Sequence, residues 1–190
     1  MESDRLTEEE RRILLRLARE ALECGVRGEK QPALDLPSFP PHLREPGASF
    51  VTLTVRGDLR GCIGALEPYQ PLAEDVCEHA LAAALDDYRF SPVQPSELSQ
   101  INIEVSRLTL PVFLNYTSPE DMLLKLRPHV DGVILRDGMR RSTFLPQVWE
   151  KLPDPADFLD NLCYKMGAEG NLWRRKHLSV QIYEVEEFHE

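Results

Sequence analysis

No apolar run in this 190-residue chain approaches the roughly 20 residues needed to span a bilayer. The N-terminus, Met1 to Glu8, has neither the basic start nor the apolar core of a secretory signal. These absences predict a cytoplasmic protein without a membrane partner. Basic residues are also scarce, 22 against 32 acidic ones, so the formal net charge is −10. Broad capture of a nucleic-acid backbone needs a basic footprint, which argues against an extended nucleic-acid surface but leaves room for one small basic pocket. The four cysteines, Cys24, Cys62, Cys77 and Cys163, include no C-x-x-C pair, so neither a zinc ribbon nor a disulfide scaffold is indicated. A phosphate loop of the G-x-x-x-x-G-K-[ST] type is missing as well. The sequence points to no cofactor and no metal site.

What is present suits a single domain, 1–190, with 42 % hydrophobic residues for its core. Thr7 and Glu10 form a capping box, and Ile13, Leu14, Leu17, Ala18, Ala21 and Leu22 recur at helical spacing until Gly25, which predicts a helix over 1–25. Residues 31–47 carry five prolines and read as a surface loop. Val51, Leu53 and Val55 alternate with Thr52 and Thr54, Arg56-Gly57-Asp58 turns, and Leu59 to Gly64 completes a hairpin. A small-faced helix follows through Leu72, Val76, Ala80 and Ala84, then a strand through Ile101, Ile103 and Val105. Ser118-Pro119 starts a short helix, Asp137-Gly138 marks a second hairpin, and Asp154-Pro155 opens a helix closed by Gly167. Leu178, Val180 and Ile182 form a last strand, followed by an acidic tail, Glu184 to Glu187. Hairpins without regular βαβ repeats predict an α+β fold, a largely antiparallel sheet flanked by helices.

The segment least like ordinary core is Leu59-Arg60-Gly61-Cys62-Ile63-Gly64. In an extended chain Leu59 and Ile63 flank Gly61 on one face while Arg60 and Cys62 share the other, about 6–7 Å apart. Arg60 is thereby placed to stabilise a Cys62 thiolate, and Gly61 and Gly64 open the backbone to a ligand. On this reading Cys62 and Arg60 are catalytic and the glycines contact substrate. The structural alternative makes Cys62 a small buried hydrophobe and the glycines a bulge or a crowded crossing. Asp87 and Arg89, in Asp86-Asp87-Tyr88-Arg89-Phe90-Ser91-Pro92-Val93, form a corner that either orients substrate or fixes the loop by an ion pair. Arg140-Arg141-Ser142-Thr143 is either a phosphate site or a solvated hairpin edge.

Other signals carry less. Cys77 and Cys163 sit on apolar helix faces, and Cys77-x-His79 makes no metal pair because residues two apart on a helix diverge. None of the five histidines lies near Cys62 in sequence. Trp173-Arg174-Arg175-Lys176 is too short a basic cluster to indicate nucleic acid against the overall charge.

The hexapeptide Leu59 to Gly64 resembles the signature of the AMMECR domain family. Asp87-Tyr88-Arg89-Phe90-Ser91-Pro92-Val93 resembles that family's D-x-R-F-x-P-V segment, and Ile103 to Ser106 its strand before Leu-Thr. Leu145 to Val148, and Phe158-Leu159 through Cys163, Lys165 and Gly167, are similar to its C-terminal blocks. Met166 departs from the alanine usual there. The resemblance implies an α+β fold with a larger and a smaller lobe and a cleft between them. It also implies, as partners, the Memo-like and radical S-adenosylmethionine proteins of the AmmeMemoRadiSam system, and either base or nucleotide modification or an adaptor role. Two functions stay open: a cysteine-dependent enzyme acting on a small anionic or nucleotide-like substrate, and a binding module without chemistry of its own. Arginines 60, 89, 140 and 141 suggest a local cationic cleft within an acidic chain.

Overall fold

The computed structural model describes residues 5–190, so the reading of the first four residues lies outside it. In chain order the elements are α1 (Glu8–Val26), α2 (Pro41–Arg44), β1 (Pro46–Val55), β2 (Asp58–Gly64), β3 (Gln70–Pro71), α3 (Leu72–Leu85), β4 (Ile101–Leu108), β5 (Val112–Phe113), α4 (Pro119–Lys125), β6 (Gly132–Asp137), β7 (Arg140–Phe144), α5 (Pro155–Lys165), α6 (Leu172–Arg175), β8 (Ser179–Tyr183) and β9 (Val185–His189). The fold is α+β. It divides into two compact units, one of residues up to Thr109 with Glu186–Glu190, the other of Leu110–Val185.

The first unit is built on a sheet of order β2-β1-β4-β9, with β3 also paired to β1. Period-2 patterning in β1 turns Val51 and Leu53 fully inward and leaves Thr52 and Thr54 half-buried. Against the sheet lie α1, through Leu14, Leu17, Ala18, Ala21 and Leu22, and the alanine face of α3, through Ala73, Ala80, Ala83 and Ala84. Thr7 and Glu10 close the capping box at the start of α1 as their spacing predicts. The helix continues one residue past Gly25, to Val26, and the left-handed turn falls at Gly28.

Two stretches differ from their sequence reading. Residues 31–47 hold a short 3-10 turn at Leu36–Ser38, the helix α2 and the first residues of β1, because their prolines occupy first-turn positions where no backbone N–H is needed. The acidic tail runs from Glu184 into strand β9, which lies beside β4. Glu186 and Phe188 are buried there. Arg11 and Arg107 each approach the Glu186 carboxylate at 3.3 Å, and the Leu6 N–H donates to it. A carboxylate paired in this way can face inward on a strand.

The second unit has sheet order β5-β8-β6-β7. Its core centres on Trp149 stacked on Phe158, ring centres 3.7 Å apart, with Leu159, Leu162, Val133, Leu135 and Trp173. Buried Trp149 donates through Nε1 to the Asp131 carbonyl, and Trp173 donates to Asp160, so neither indole N–H is left unsatisfied. Gly167 has a positive φ of 76° just past α5, as its place after the periodic residues predicts.

Candidate active site

Strand β2 is an edge strand, and Cys62 lies opposite Thr52 of β1. The pairing slips between Leu53 and Thr54: Gly61 faces Leu53, but Leu59 faces Thr54, leaving Arg60 as the extra residue of a β-bulge. The simple alternation that set Arg60 beside Cys62 therefore fails at this point. The Arg60 guanidinium instead pairs with Glu97, Nε to Oε1 at 2.8 Å and Nη2 to Oε2 at 3.1 Å. That pairing, with the Gln94 N–H, holds the Glu97 carboxyl below its usual range.

The charge beside Cys62 is Arg89. Its Nη2 donates to the Cys62 carbonyl at 3.3 Å, while the Cys62 N–H donates to Asp87 Oδ2 at 2.9 Å. Asp87 and Arg89 are joined by a two-pronged bridge, Nε to Oδ1 at 2.9 Å and Nη2 to Oδ2 at 2.7 Å. An acid and a base two residues apart thus cap both main-chain polar groups of Cys62, as a neighbouring strand would. The Arg89 guanidinium, helped by main-chain N–H groups of Cys62 and Arg89, drives the buried Asp87 carboxyl far below the ordinary carboxylate range despite its burial. Arg89 is held more firmly protonated in return, mainly by Asp87 and to a smaller degree by Cys62 and Tyr88 nearby.

The Cys62 thiol is half-buried and accepts a hydrogen bond from the Thr52 hydroxyl at 3.2 Å. Gly61 is required by packing: a Cβ there would lie 2.0 Å from the Ala83 carbonyl oxygen of α3. Gly64 is likewise crowded, 2.3 Å from the Phe50 ring. The structure therefore brings Cys62, Asp87 and Arg89 together, assigns Arg60 to Glu97, and gives both glycines a packing reason. Thr52 and Glu97 were not singled out from the sequence. Thr52 was visible as the outward residue of the facing strand, whereas Glu97 required the fold.

The remaining candidates have other partners. Cys77 borders a cavity of about 250 Å³ with Gln31, Pro32, Leu34, Glu74 and Glu78, but burial pushes its thiol up to about 11. Burial also raises Cys163. Arg140 belongs to the second unit and pairs with Asp137, whose carboxyl Lys176 and then Arg140 hold below its usual range. Ser142 donates to the Leu162 carbonyl of α5 and so ties its strand to that helix. Arg60, Arg89 and Arg140 are each paired with a carboxylate. A polar cluster missed from the sequence lies under β1, where fully buried Asp75 accepts from Ser49 at 2.6 Å and sits 3.2 Å from His79 Nδ1. Its signal was an acid and a histidine four apart on an apolar helix face. Among the described residues, no group of three or more His, Cys, Asp or Glu is placed to hold a metal, and no helix is long and apolar enough to cross a membrane.

The AMMECR1 family model matches residues 15–188. A protein of Methanothermobacter thermautotrophicus is 41 % identical over 187 residues, 97 % of this chain and 96 % of its own length. Protein MJ0810 of Methanocaldococcus jannaschii is 35 % identical over 192 residues, 97 % of this chain and 92 % of its own. Among solved structures, the uncharacterised protein PH0010 from Pyrococcus horikoshii aligns with a TM-score of 0.72 at 34 % identity, covering 93 % of this chain and 89 % of that one.

Proposed function

The chain belongs to the AMMECR1 family, and from that premise we propose that it is a cysteine-dependent enzyme, or a component of one, acting through Cys62 on a small anionic or nucleotide-like substrate. The observation that carries this reading is the grip on Cys62: the Asp87–Arg89 pair holds both its main-chain groups while the residue is only partly buried. Cys62 is the nucleophile or redox thiol. Thr52 donates to Sγ and so fixes the direction in which the sulfur points. Arg89 takes the part that the sequence reading gave to Arg60, a guanidinium beside the thiol and a clamp for the anion. Asp87 acts through Arg89, keeping it in place. A link to base modification is the finer form of the same reading. Alkylation by iodoacetamide in the folded protein tests it. Cys62 should react, and a small anion such as inorganic phosphate should slow the reaction. A Cys62 that reacts only after unfolding would refute the reading.

One observation favours a second reading, a binding or adaptor module for Memo-like and radical S-adenosylmethionine proteins. Among the described residues the sulfur's hydrogen-bond partner is Thr52, with no histidine or carboxylate bonded to it as a base. For a module, Cys62→Ser leaves partner binding intact. Loss in that variant of a turnover shown by the wild-type chain alone would decide for the enzyme.

A further inference from the structure

We propose that the loop holding Asp87 and Arg89 is a recognition platform for a nucleoside monophosphate, with the Tyr88 ring stacked on the base and Arg89 on the phosphate. The inference rests on the reading of Cys62 and Arg89 as a ligand site and adds the ring-bearing half of the ligand. Tyr88 is 94 % exposed. A single exposed ring is ordinary on a surface, but this one stands on a fixed base. The Arg89 N–H donates to Asp87 Oδ1 at 3.1 Å, the Phe90 N–H to the Asp87 carbonyl at 3.0 Å, and the Val93 N–H to the Ala84 carbonyl at 2.9 Å. The same Asp87 carboxylate is anchored on Cys62. A ring on such a backbone loses little freedom when it binds, which is the property that makes tyrosine useful in recognition surfaces.

The residue next to it supplies the charge. Arg89 spends Nε and Nη2 on Asp87 and on the Cys62 carbonyl, and its Nη1 has no hydrogen bond among the described residues. Its guanidinium carbon lies 5.5 Å from the centre of the Phe90 ring, which steadies the fork. A guanidinium with free N–H groups suits a phosphate, and an aromatic face stacks any base. Asp86, exposed beside the ring on its N-terminal side, adds a negative charge that repels a strand bearing many phosphates more than a single phosphate. That selects a mononucleotide over a nucleic acid.

The test is protection of Cys62 from iodoacetamide in the full chain by AMP and by ribose 5-phosphate, which lacks the base. AMP should protect at about tenfold lower concentration, in the range of base-on-aromatic stacking. Tyr88→Ala should erase that difference without changing ribose 5-phosphate, and Tyr88→Phe should keep it. Equal protection by the two ligands in the wild type, or a preference for AMP that survives Tyr88→Ala, overturns the platform while leaving the anion site standing. Protection by neither ligand overturns both. Should Cys62 resist alkylation, the added indole fluorescence of Tyr88→Trp reads the same contact: quenching by AMP is expected, and its absence refutes the platform.

Discussion

The hairpins β1–β2 and β6–β7 each end at a sheet edge and each carry arginine, yet they use their polar side chains in opposite ways. In β6–β7 the ladder is regular from Val133 opposite Phe144 to Asp137 opposite Arg140. Arg140 folds back on Asp137 across the turn, Ser142 binds the Leu162 carbonyl, and Thr143 meets the Tyr183 hydroxyl. Arg140 thus closes the turn, while Ser142 and Thr143 tie the hairpin to α5 and β8. In β1–β2 the ladder is broken by a bulge, the edge at Cys62 is closed by two side chains from a distant loop, and the cysteine is only partly buried. Irregularity concentrated at one edge, with a thiol in it, is what separates a candidate site from a well-made hairpin.

The glycines should separate the two hairpins most sharply. Gly61→Ala places a methyl 2.0 Å from a backbone oxygen that cannot swing aside, so a loss of about 3 kcal/mol or more is expected in urea unfolding. Gly138→Ala, at a turn with φ of 60° and nothing within 4 Å, should cost only about 1 kcal/mol. If the two costs were equal, close approach of α3 would not be the reason for Gly61.

Asp87→Asn comes next, with an expected loss of about 2 kcal/mol at pH 7, since it removes the negative charge facing Arg89 and turns one of the two buried acceptor oxygens into an NH2 that cannot accept from Arg89 or the Cys62 N–H. The pH dependence follows in sign. Asp87 binds its proton more weakly in the fold than in the unfolded chain. Its contribution is therefore complete above the ordinary carboxylate range, about 4, and declines as pH falls below that until Asp87 itself protonates. Urea midpoints at pH 7 and pH 3 should show the wild type losing more than Asp87→Asn between the two. Equal losses would remove Asp87 from the account. Smallest is Arg60→Ala, about 1 kcal/mol through the partly exposed Glu97 pair, with the alkylation rate of Cys62 unchanged.

Legibility in the sequence followed the range of the interactions involved. The caps of α1, α4 and α5 and the turn at Arg56-Gly57-Asp58 are set by residues within four of one another, and they stand where spacing put them. The hexapeptide and the Asp87–Arg89 corner were also visible as unusual stretches. Their connection was not, because it joins positions 62 and 87 through the packing of α3. The bulge at Arg60 depends on register against β1, which alternation within β2 cannot reveal. Strand β9 was hidden because Glu186 reads as solvent-facing until Arg11 and Arg107 are seen beside it.

The central claim is that Arg89, not Arg60, is the charge that serves Cys62. Mass-spectrometric rates of iodoacetamide alkylation at Cys62, compared among wild type, Arg89→Ala and Arg60→Ala at one pH, test it directly. The account predicts reaction in the folded wild type, several-fold slower in Arg89→Ala and unchanged in Arg60→Ala. A Cys62 that reacts only when unfolded, or an Arg60→Ala rate that falls while Arg89→Ala does not, would contradict it.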